Sequence, residues 1–345
     1  KDTALDFCKK QKLKDAIIKS VKLLENSSFD EISEVINEAL KLGQTNDVGY
    51  HYIKDFEKRF EIKIRNPVST GWDKFDELLQ GGLGAGELAV AMAGTGAGKS
   101  HLLVHLGSEA LKKGKTVIHY TLELSETVIA RRYDSCITGT KLKDLNVFKD
   151  FILEKVKDVP GTLIVKEYPT KSISTNAIKN HLEKLKMRDI KPDIMIVDYA
   201  DLFKPKKSFG EKRHDLESIY EDLRGLAQIY KCPIWTVSQT NRTGYNAELV
   251  TIESVSEAFS KCFVADFIFT LSRTTEDKNN NSGRFFVAKN RFGPDGLIYP
   301  IKMDTSNVSI TVENESVDPS TLNGNPAKAQ KDLLKKKYKE LMSEK

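Results

Sequence analysis

Glu87-Leu-Ala-Val-Ala-Met-Ala93, followed by Gly94-Thr95-Gly96-Ala97-Gly98-Lys99-Ser100-His101, decides the fold. The first part is a short, nearly continuous apolar run, which suits a strand buried on both faces of a parallel sheet. The second is glycine-rich and ends in Gly-Lys-Ser, and the apolar periodicity beyond it predicts a helix over 99–113, stopped by Gly114. Strand, glycine loop and helix together form the setting in which backbone N–H groups and a helix N-terminus wrap nucleotide phosphates. Gly94, Thr95, Gly96, Ala97, Gly98, Lys99, Ser100 and His101 are therefore expected around the phosphates of ATP, with Lys99 on the β/γ oxygens and Ser100 on Mg²⁺. The strict pattern has glycine where Ala93 stands, so the plainer alternative is a glycine-rich turn without catalytic meaning.

Downstream the chain alternates strand and helix. Strands are expected at 116–121, 163–165, 193–198 and 233–238, and helices from the cap Ser125, over 174–188 and over 214–230. After about Ala265 only strands follow, at 267–271, 284–289, 297–302 and 308–312. This order predicts an α/β protein with a mostly parallel twisted sheet flanked by helices and a set of C-terminal strands. Upstream, Leu5, Ile17, Ile18, Val21, Leu23 and Leu24 form one helical face. Ile32, Val35, Ile36, Ala39 and Leu40 form a second, beyond Asn26-Ser27-Ser28. A short amphipathic helix is expected over 52–60. The domains read as 1–46, a short helical extension; 47–67, a linker; 68–317, the core; and 318–345, a Lys-rich, flexible tail with at most one loose helix near 327–341.

The 345 residues are more than one ordinary domain needs, and 39% apolar with 30% charged residues is a globular composition. A net charge of +5 permits a nucleic-acid partner without requiring one. Cys8, Cys136, Cys232 and Cys262 are scattered without a CxxC pair, against a disulfide framework or zinc site. No apolar run of about 18 residues and no signal segment is present, so no membrane association and a cytoplasmic location, a host's if the gene is a phage's, are expected. The chain opens on Lys1 rather than Met, as a fragment of a longer protein would.

Strand ends supply the remaining chemistry. Asp198 closes the apolar run Ile194-Met-Ile-Val197 at the C-terminal edge of the sheet, where a carboxylate can hold Mg²⁺; an Asp that merely caps a strand is the alternative. Glu123 ends the strand before it and can orient a water toward the γ-phosphate, or be a surface Glu near the helix cap. Gln239, just past the strand 233–238, suits a γ-phosphate sensor, or is a plain loop residue.

With these residues in view, the sequence resembles the replicative helicases of the bacterial DnaB family, and is similar to the branch found in T-even-type phages. The resemblance runs through residues 48–57, 92–100, Leu122-Glu-Leu-Ser125 with Arg132, Ile196-Val-Asp-Tyr199, Leu223-Arg-Gly-Leu-Ala227, Ser238-Gln239, Ala265-Asp266-Phe267 and Lys289-Asn-Arg291. It implies a RecA-like P-loop ATPase core, a homo-hexameric ring with ATP between neighbours, and Glu123 as catalytic base. Lys289 and Arg291 would be the cations that reach the next subunit's γ-phosphate, a role that cationic side chains in trans perform by stabilising transition-state charge. Without the resemblance they read as two solvated loop cations. The segment 48–60 would dock on an adjacent subunit through Tyr50, Tyr52, Ile53, Phe56 and Phe60, or pack on its own core. Residues 1–45 would be the last helices of a primase-binding domain, with a helicase loader as a further partner.

Single-stranded DNA is expected on two loops. The first is 203–213, where Lys204, Lys206, Lys207, Lys212 and Arg213 stand beside Phe203 and Phe209; a solvated charge run is the equal alternative. The second is 253–261, with Glu257 and Lys261 as candidates, although Ser256 and Phe259 stand where DnaB proteins commonly place Arg and Gly. A helicase translocating 5′ to 3′ leads. A RecA-type recombinase that coats single strands as a filament, and a clock- or sensor-type ATPase indifferent to DNA, remain as alternatives.

Overall fold

The computed structural model describes residues 2–24, 29–41, 49–57, 60, 65–240, 249–250 and 263–313. The chain divides into two units, Lys1–Ile64 and Arg65–Lys345. The expected tail and the loop 253–261 lie outside the described residues.

In the first unit, helices α1 (Asp2–Leu24) and α2 (Phe29–Lys41) pack on each other. Ala16, Ser20 and Ala39 are buried, because small side chains let two helix backbones approach closely. The apolar face read from the sequence is only partly the packed one: Ile17, Ile18, Val21 and Leu24 are half exposed. The helix expected over 52–60 is a run of turns at 52–57. Side chains compete there with helical backbone bonding: the Lys54 amide donates to His51 Nδ1 and the His51 amide to the Asp55 carboxylate.

In the second unit the described elements run α3 (Asp73–Leu78), β1 (Leu88–Ala93), α4 (Lys99–Lys112), β2 (Thr116–Thr121), α5 (Glu126–Thr138), α6 (Lys149–Lys157), β3 (Thr162–Glu167), α7 (Thr175–Lys186), β4 (Ile194–Asp198), α8 (Lys212–Tyr230), β5 (Ile234–Gln239), β6 (Phe267–Ser272), α9 (Thr275–Asn279), β7 (Ser282–Asn290), β8 (Ile298–Asp304) and β9 (Ser309–Val312). The described strands form one sheet in the order β3-β2-β4-β5-β1-β6-β7-β8-β9. It is parallel through β6 and antiparallel from β7 onward. Glu87 falls just outside β1, where its carboxylate pairs with Arg65 at 2.7 Å.

β1 is wholly buried, and its alternation separates two cores. Ala89, Ala91 and Ala93 face the core of α4 and the rings of Trp72, Phe75, Phe267, Phe269 and Phe285; Leu88, Val90 and Met92 face the core of α7 and α8. The small alanines leave room for that aromatic cluster. Phe75 stands edge-on to Phe267 and Phe269, and truncating it to alanine would cost about 3–5 kcal/mol. Among the described residues, no helix is long and apolar enough to cross a membrane.

Candidate active site

Because β1, β2, β4 and β5 are parallel, their C-terminal ends share one edge of the sheet. Thr121 is level with Asp198, and Ala93 with Gln239. One edge therefore presents, in spatial order, Glu123 after β2, Asp198 on β4, Gln239 on β5 and the phosphate loop after β1. β5 lies between the strand of Asp198 and that of the loop.

Gly96 (φ +70°) and Gly98 (φ +108°) carry the loop through left-handed backbone, and Gly98 caps α4. A Cβ on Gly98 would also overlap the Met303 side chain. Ala93, the departure from the strict pattern, is regular strand, so its methyl meets no backbone restriction. Thr95 and Gly96 are exposed, and Ala97 is buried. Lys99 Nζ donates to the carbonyls of Ala93 (3.3 Å) and Gly94 (3.0 Å). Burial lowers its pKa, against the raising pull of Glu123, Asp198 and Asp201.

Asp198 is 1% exposed, and neither carboxylate oxygen has a hydrogen-bond partner. Burial pushes its pKa up to about 6; the nearby Ser100 hydroxyl acts the other way, and Glu123 reinforces the rise. A buried carboxylate without partners is costly unless a cation meets it. Asp198 and Ser100 thus fit Mg²⁺, an ion commonly held by one or two protein oxygens with phosphate and water completing its shell. Among the described residues, no group of three or more His, Cys, Asp or Glu could hold a metal by itself.

Glu123 is exposed in a turn that its neighbours fix. The Thr121 hydroxyl donates to the Leu124 carbonyl and accepts the Leu124 amide, and the Leu122 amide donates to the Asp198 carbonyl. Ser125 then caps α5 by accepting from the Val128 amide, as its sequence position predicts. Gln239 Nε2 donates to the Thr95 hydroxyl at 2.7 Å, fastening the end of β5 to the loop. His101 is held neutral: burial, with Arg132 and Arg273 adding to it, lowers its pKa to about 4.

Arg132 is the residue that sequence reasoning undervalued. It entered only as part of a matching stretch, yet its guanidinium lies in the field of Asp198 and Glu123, and its buried Nη1 has no hydrogen-bond partner. Its place in that matching stretch, on the helix that follows Glu123, was the signal.

Lys289 and Arg291 do not join this edge. β7 is antiparallel to β6, which carries residues 289–291 to the opposite side. Asn290 pairs with Phe267, level with Ala89, and the Arg291 amide donates to the Asp266 carbonyl. Arg291 thus lies about 16 Å from the level of Ala93, five residues at roughly 3.3 Å, and two strand spacings of about 4.8 Å to the side. Lys289 Nζ donates to the Phe263 carbonyl at 2.6 Å and sits 4.5 Å from the centre of that ring, and Arg291 pairs with Asp266 at 2.6 Å.

The first candidate DNA loop is only partly as expected. Phe203 is buried in the core, so it offers no stacking surface, whereas Phe209 is exposed. Lys206 pairs with Asp222 at 2.9 Å. Lys204, Lys207, Lys212 and Arg213 are exposed and make no ion pair among the described residues, the last two opening α8. Glu257 and Lys261 lie outside the described residues.

A family model for the DnaB-like helicase C terminal domain matches residues 67–303. The chain belongs to the DnaB-like helicase family. Among its DnaB-like relatives, the DnaB-like replicative helicase of Enterobacteria phage T4 is 27% identical over 286 residues, covering 76% of this chain and 58% of the relative. The replicative DNA helicase DnaB of Mycoplasma genitalium is 26% identical over 269 residues, covering 70% and 56%. The chain thus spans a little over half the length of these relatives. A solved structure of a DnaB-like replicative helicase, described with its interactions with primase, superposes with a TM-score of 0.72 at 15% identity, covering 90% of this chain and 78% of that one. A second solved structure, described as an ATPase domain, gives 0.63 at 16% identity, covering 75% and 96%. The RecA-like fold expected for the core is the fold observed, and DnaB-like membership does not favour the filament-forming alternative.

Proposed function

We propose that this chain is the motor portion of a replicative DNA helicase: a ring of six copies that hydrolyses Mg-ATP between neighbours and draws single-stranded DNA through its centre, 5′ to 3′, parting the duplex. One observation carries the reading. The phosphate loop, Asp198, Glu123 and Gln239 share one sheet edge, while Lys289 and Arg291 lie at the other, beyond reach of their own chain's loop. A complete site therefore needs two copies.

The division of labour follows from the chemistry of each group. The loop amides and Lys99 grip the β- and γ-phosphates. Ser100 and Asp198 hold Mg²⁺, which when bound neutralises charge on the transferring phosphoryl oxygens. Glu123 orients the attacking water and accepts its proton. Gln239, tied to Thr95, reads the γ-phosphate and passes its presence to β5. Arg291 and Lys289 of the adjacent copy meet the charge that builds on the transferring group, so hydrolysis waits on the neighbour's position.

The proposed boundaries are 1–46 for the helical extension, 47–67 for the linker, 68–317 for the motor and 318–345 for the tail. The exposed Tyr50, Tyr52, Ile53, Phe56 and Phe60 suit a linker that docks on the next subunit. Lys204, Lys207, Lys212 and Arg213 suit sequence-independent contact with DNA phosphates. Primase and a helicase loader are the proposed protein partners, the first because a solved DnaB-like helicase is described with it.

The test is ATP turnover with and without single-stranded oligonucleotide, alongside particle mass. Stimulated turnover in a six-fold particle is expected. Full-speed hydrolysis by a lone monomer, indifferent to oligonucleotide, overturns the reading. Mixed rings of Arg291→Ala and Lys99→Ala chains regain partial turnover if the cation acts across the interface.

A further inference from the structure

Two stretches that match the DnaB family, 223–227 and 265–267, have no part in the chemistry above, yet they meet at one carboxylate. Asp266 stands immediately before β6 and is 1% exposed. Its Oδ2 accepts the Leu88 amide (3.0 Å) and Arg224 Nε (3.2 Å); its Oδ1 accepts Arg224 Nη2 (2.9 Å) and Arg291 Nη1 (2.6 Å). The backbone doubles the tie, with the Arg291 amide on the Asp266 carbonyl and the Asp266 amide on the Leu88 carbonyl.

The two arginines are held differently. Arg224 grips both oxygens through Nε and Nη2, the fork geometry that fixes a carboxylate in orientation. Arg291 binds Oδ1 through Nη1 alone, and its side chain is 43% exposed. Arg224 and the Leu88 amide therefore hold Asp266 in one orientation at the root of β6, and Asp266 in turn holds one side of the Arg291 guanidinium and turns the rest outward.

We infer that Asp266 is the positioning residue for the cation supplied in trans: it aims Arg291 at the neighbouring copy's γ-phosphate, with Arg224 as the clamp that sets the carboxylate. The inference rests on the proposed reading of Arg291. Its action is wholly on the donating copy. Asp266 serves the ATP site of the neighbour and leaves its own copy's phosphate loop, at the other edge of the sheet, unaffected.

The test uses the full chain in its ring. Asp266→Asn keeps the shape and the hydrogen bond from Leu88 but removes the charge. It is expected to lower kcat about 100-fold, the cost of a misplacement on the order of 1 Å, with KM for ATP within about two-fold. When Asp266→Asn chains are mixed with Lys99→Ala chains, turnover returns, because a Lys99→Ala copy still donates a well-aimed Arg291 to the intact loop of its neighbour. A merely structural defect in Asp266→Asn would stay with its own chain and show no recovery.

The control is Arg291→Ala mixed with Lys99→Ala. If the control fails to recover, the trans reading itself falls; if it recovers and the Asp266→Asn mixture does not, only the role of Asp266 falls. Should Asp266→Asn fail to fold because Arg224 is left facing a neutral group, Asp266→Glu keeps the charge and displaces it by one methylene. A partial loss of kcat at constant KM, recoverable in mixed rings, supports the inference, and full kcat in homogeneous Asp266→Glu rings overturns it.

Discussion

Acidification should loosen the core beneath the nucleotide loop, through two imidazoles that folding keeps uncharged. His105, on the helix that carries Lys99 and Ser100, is 8% exposed, lies parallel to Trp72 at 4.9 Å, and has no partner for Nε2. His119, in the centre of β2, is fully buried, with Nδ1 at 3.0 Å from the Tyr133 hydroxyl. Burial lowers their pKa values from 6.5 to about 4 and about 3. Since the folded values lie below the unfolded one, this stability is present above pH 6.5 and is lost as pH falls toward the folded values. Between pH 7.5 and pH 5 the unfolded state takes up each proton across about 1.5 pH units while the folded state does not, so each histidine removes about 2 kcal/mol. The share of these two is thus about 4 kcal/mol; His101, also lowered to about 4, adds to it, and Asp198, raised to about 6, opposes it. Urea unfolding of the wild type and of His105→Phe at both pH values isolates one share, because phenylalanine keeps the stack on Trp72 and cannot titrate. The variant's loss on acidification should be smaller by about 2 kcal/mol; an equal loss in both proteins refutes the argument.

Gly98→Ala forces a left-handed backbone on a Cβ-bearing residue and drives that Cβ into Met303, so a stability loss of about 2 kcal/mol or more and weaker nucleotide binding are expected in thermal melts and in titration with a fluorescent ATP analogue. Glu123→Gln should leave ATP affinity within a few-fold and lower single-turnover hydrolysis by about 100-fold or more; unchanged turnover would remove Glu123 from the reaction. Replacing Lys204, Lys207 and Arg213 together by alanine should flatten the dependence of oligonucleotide affinity on salt by roughly one unit of log–log slope for each phosphate left without its cation. Lys206→Ala, which removes a side chain already paired with Asp222, should change that slope far less.

Much of this architecture could be read from the residues. β1 showed itself because six consecutive buried side chains leave no room for polar ones, and β2 and β4 by runs that end in the acidic residues the chemistry needs. The turn at Glu123 was legible through its neighbour Ser125, whose capping bond forms as its position predicts. Other features depended on three-dimensional context. α6 buries only Ile152 deeply while Phe151 and Leu153 are exposed, so it carries no clean apolar stripe. Residues 52–57 have the composition of a helix, but the local bonds of His51 and Asp55 decide otherwise. Phe203 looked like a loop aromatic beside lysines, and only the packing around β4 shows it to be core. No pattern could reveal that Arg224 and Arg291 share one carboxylate, because that follows from strand order and from β7 doubling back.

The reversal at β7 has a consequence for assembly. If Arg291 acts on the neighbouring copy as proposed, each copy receives at one face and gives at another and so associates head to tail, and only the rotation between successive copies decides whether the string shuts on itself. In an open string the terminal copies waste a giver at one end and a receiver at the other. Shutting the string joins the two, so sites and copies become equal in number only once the circle is complete.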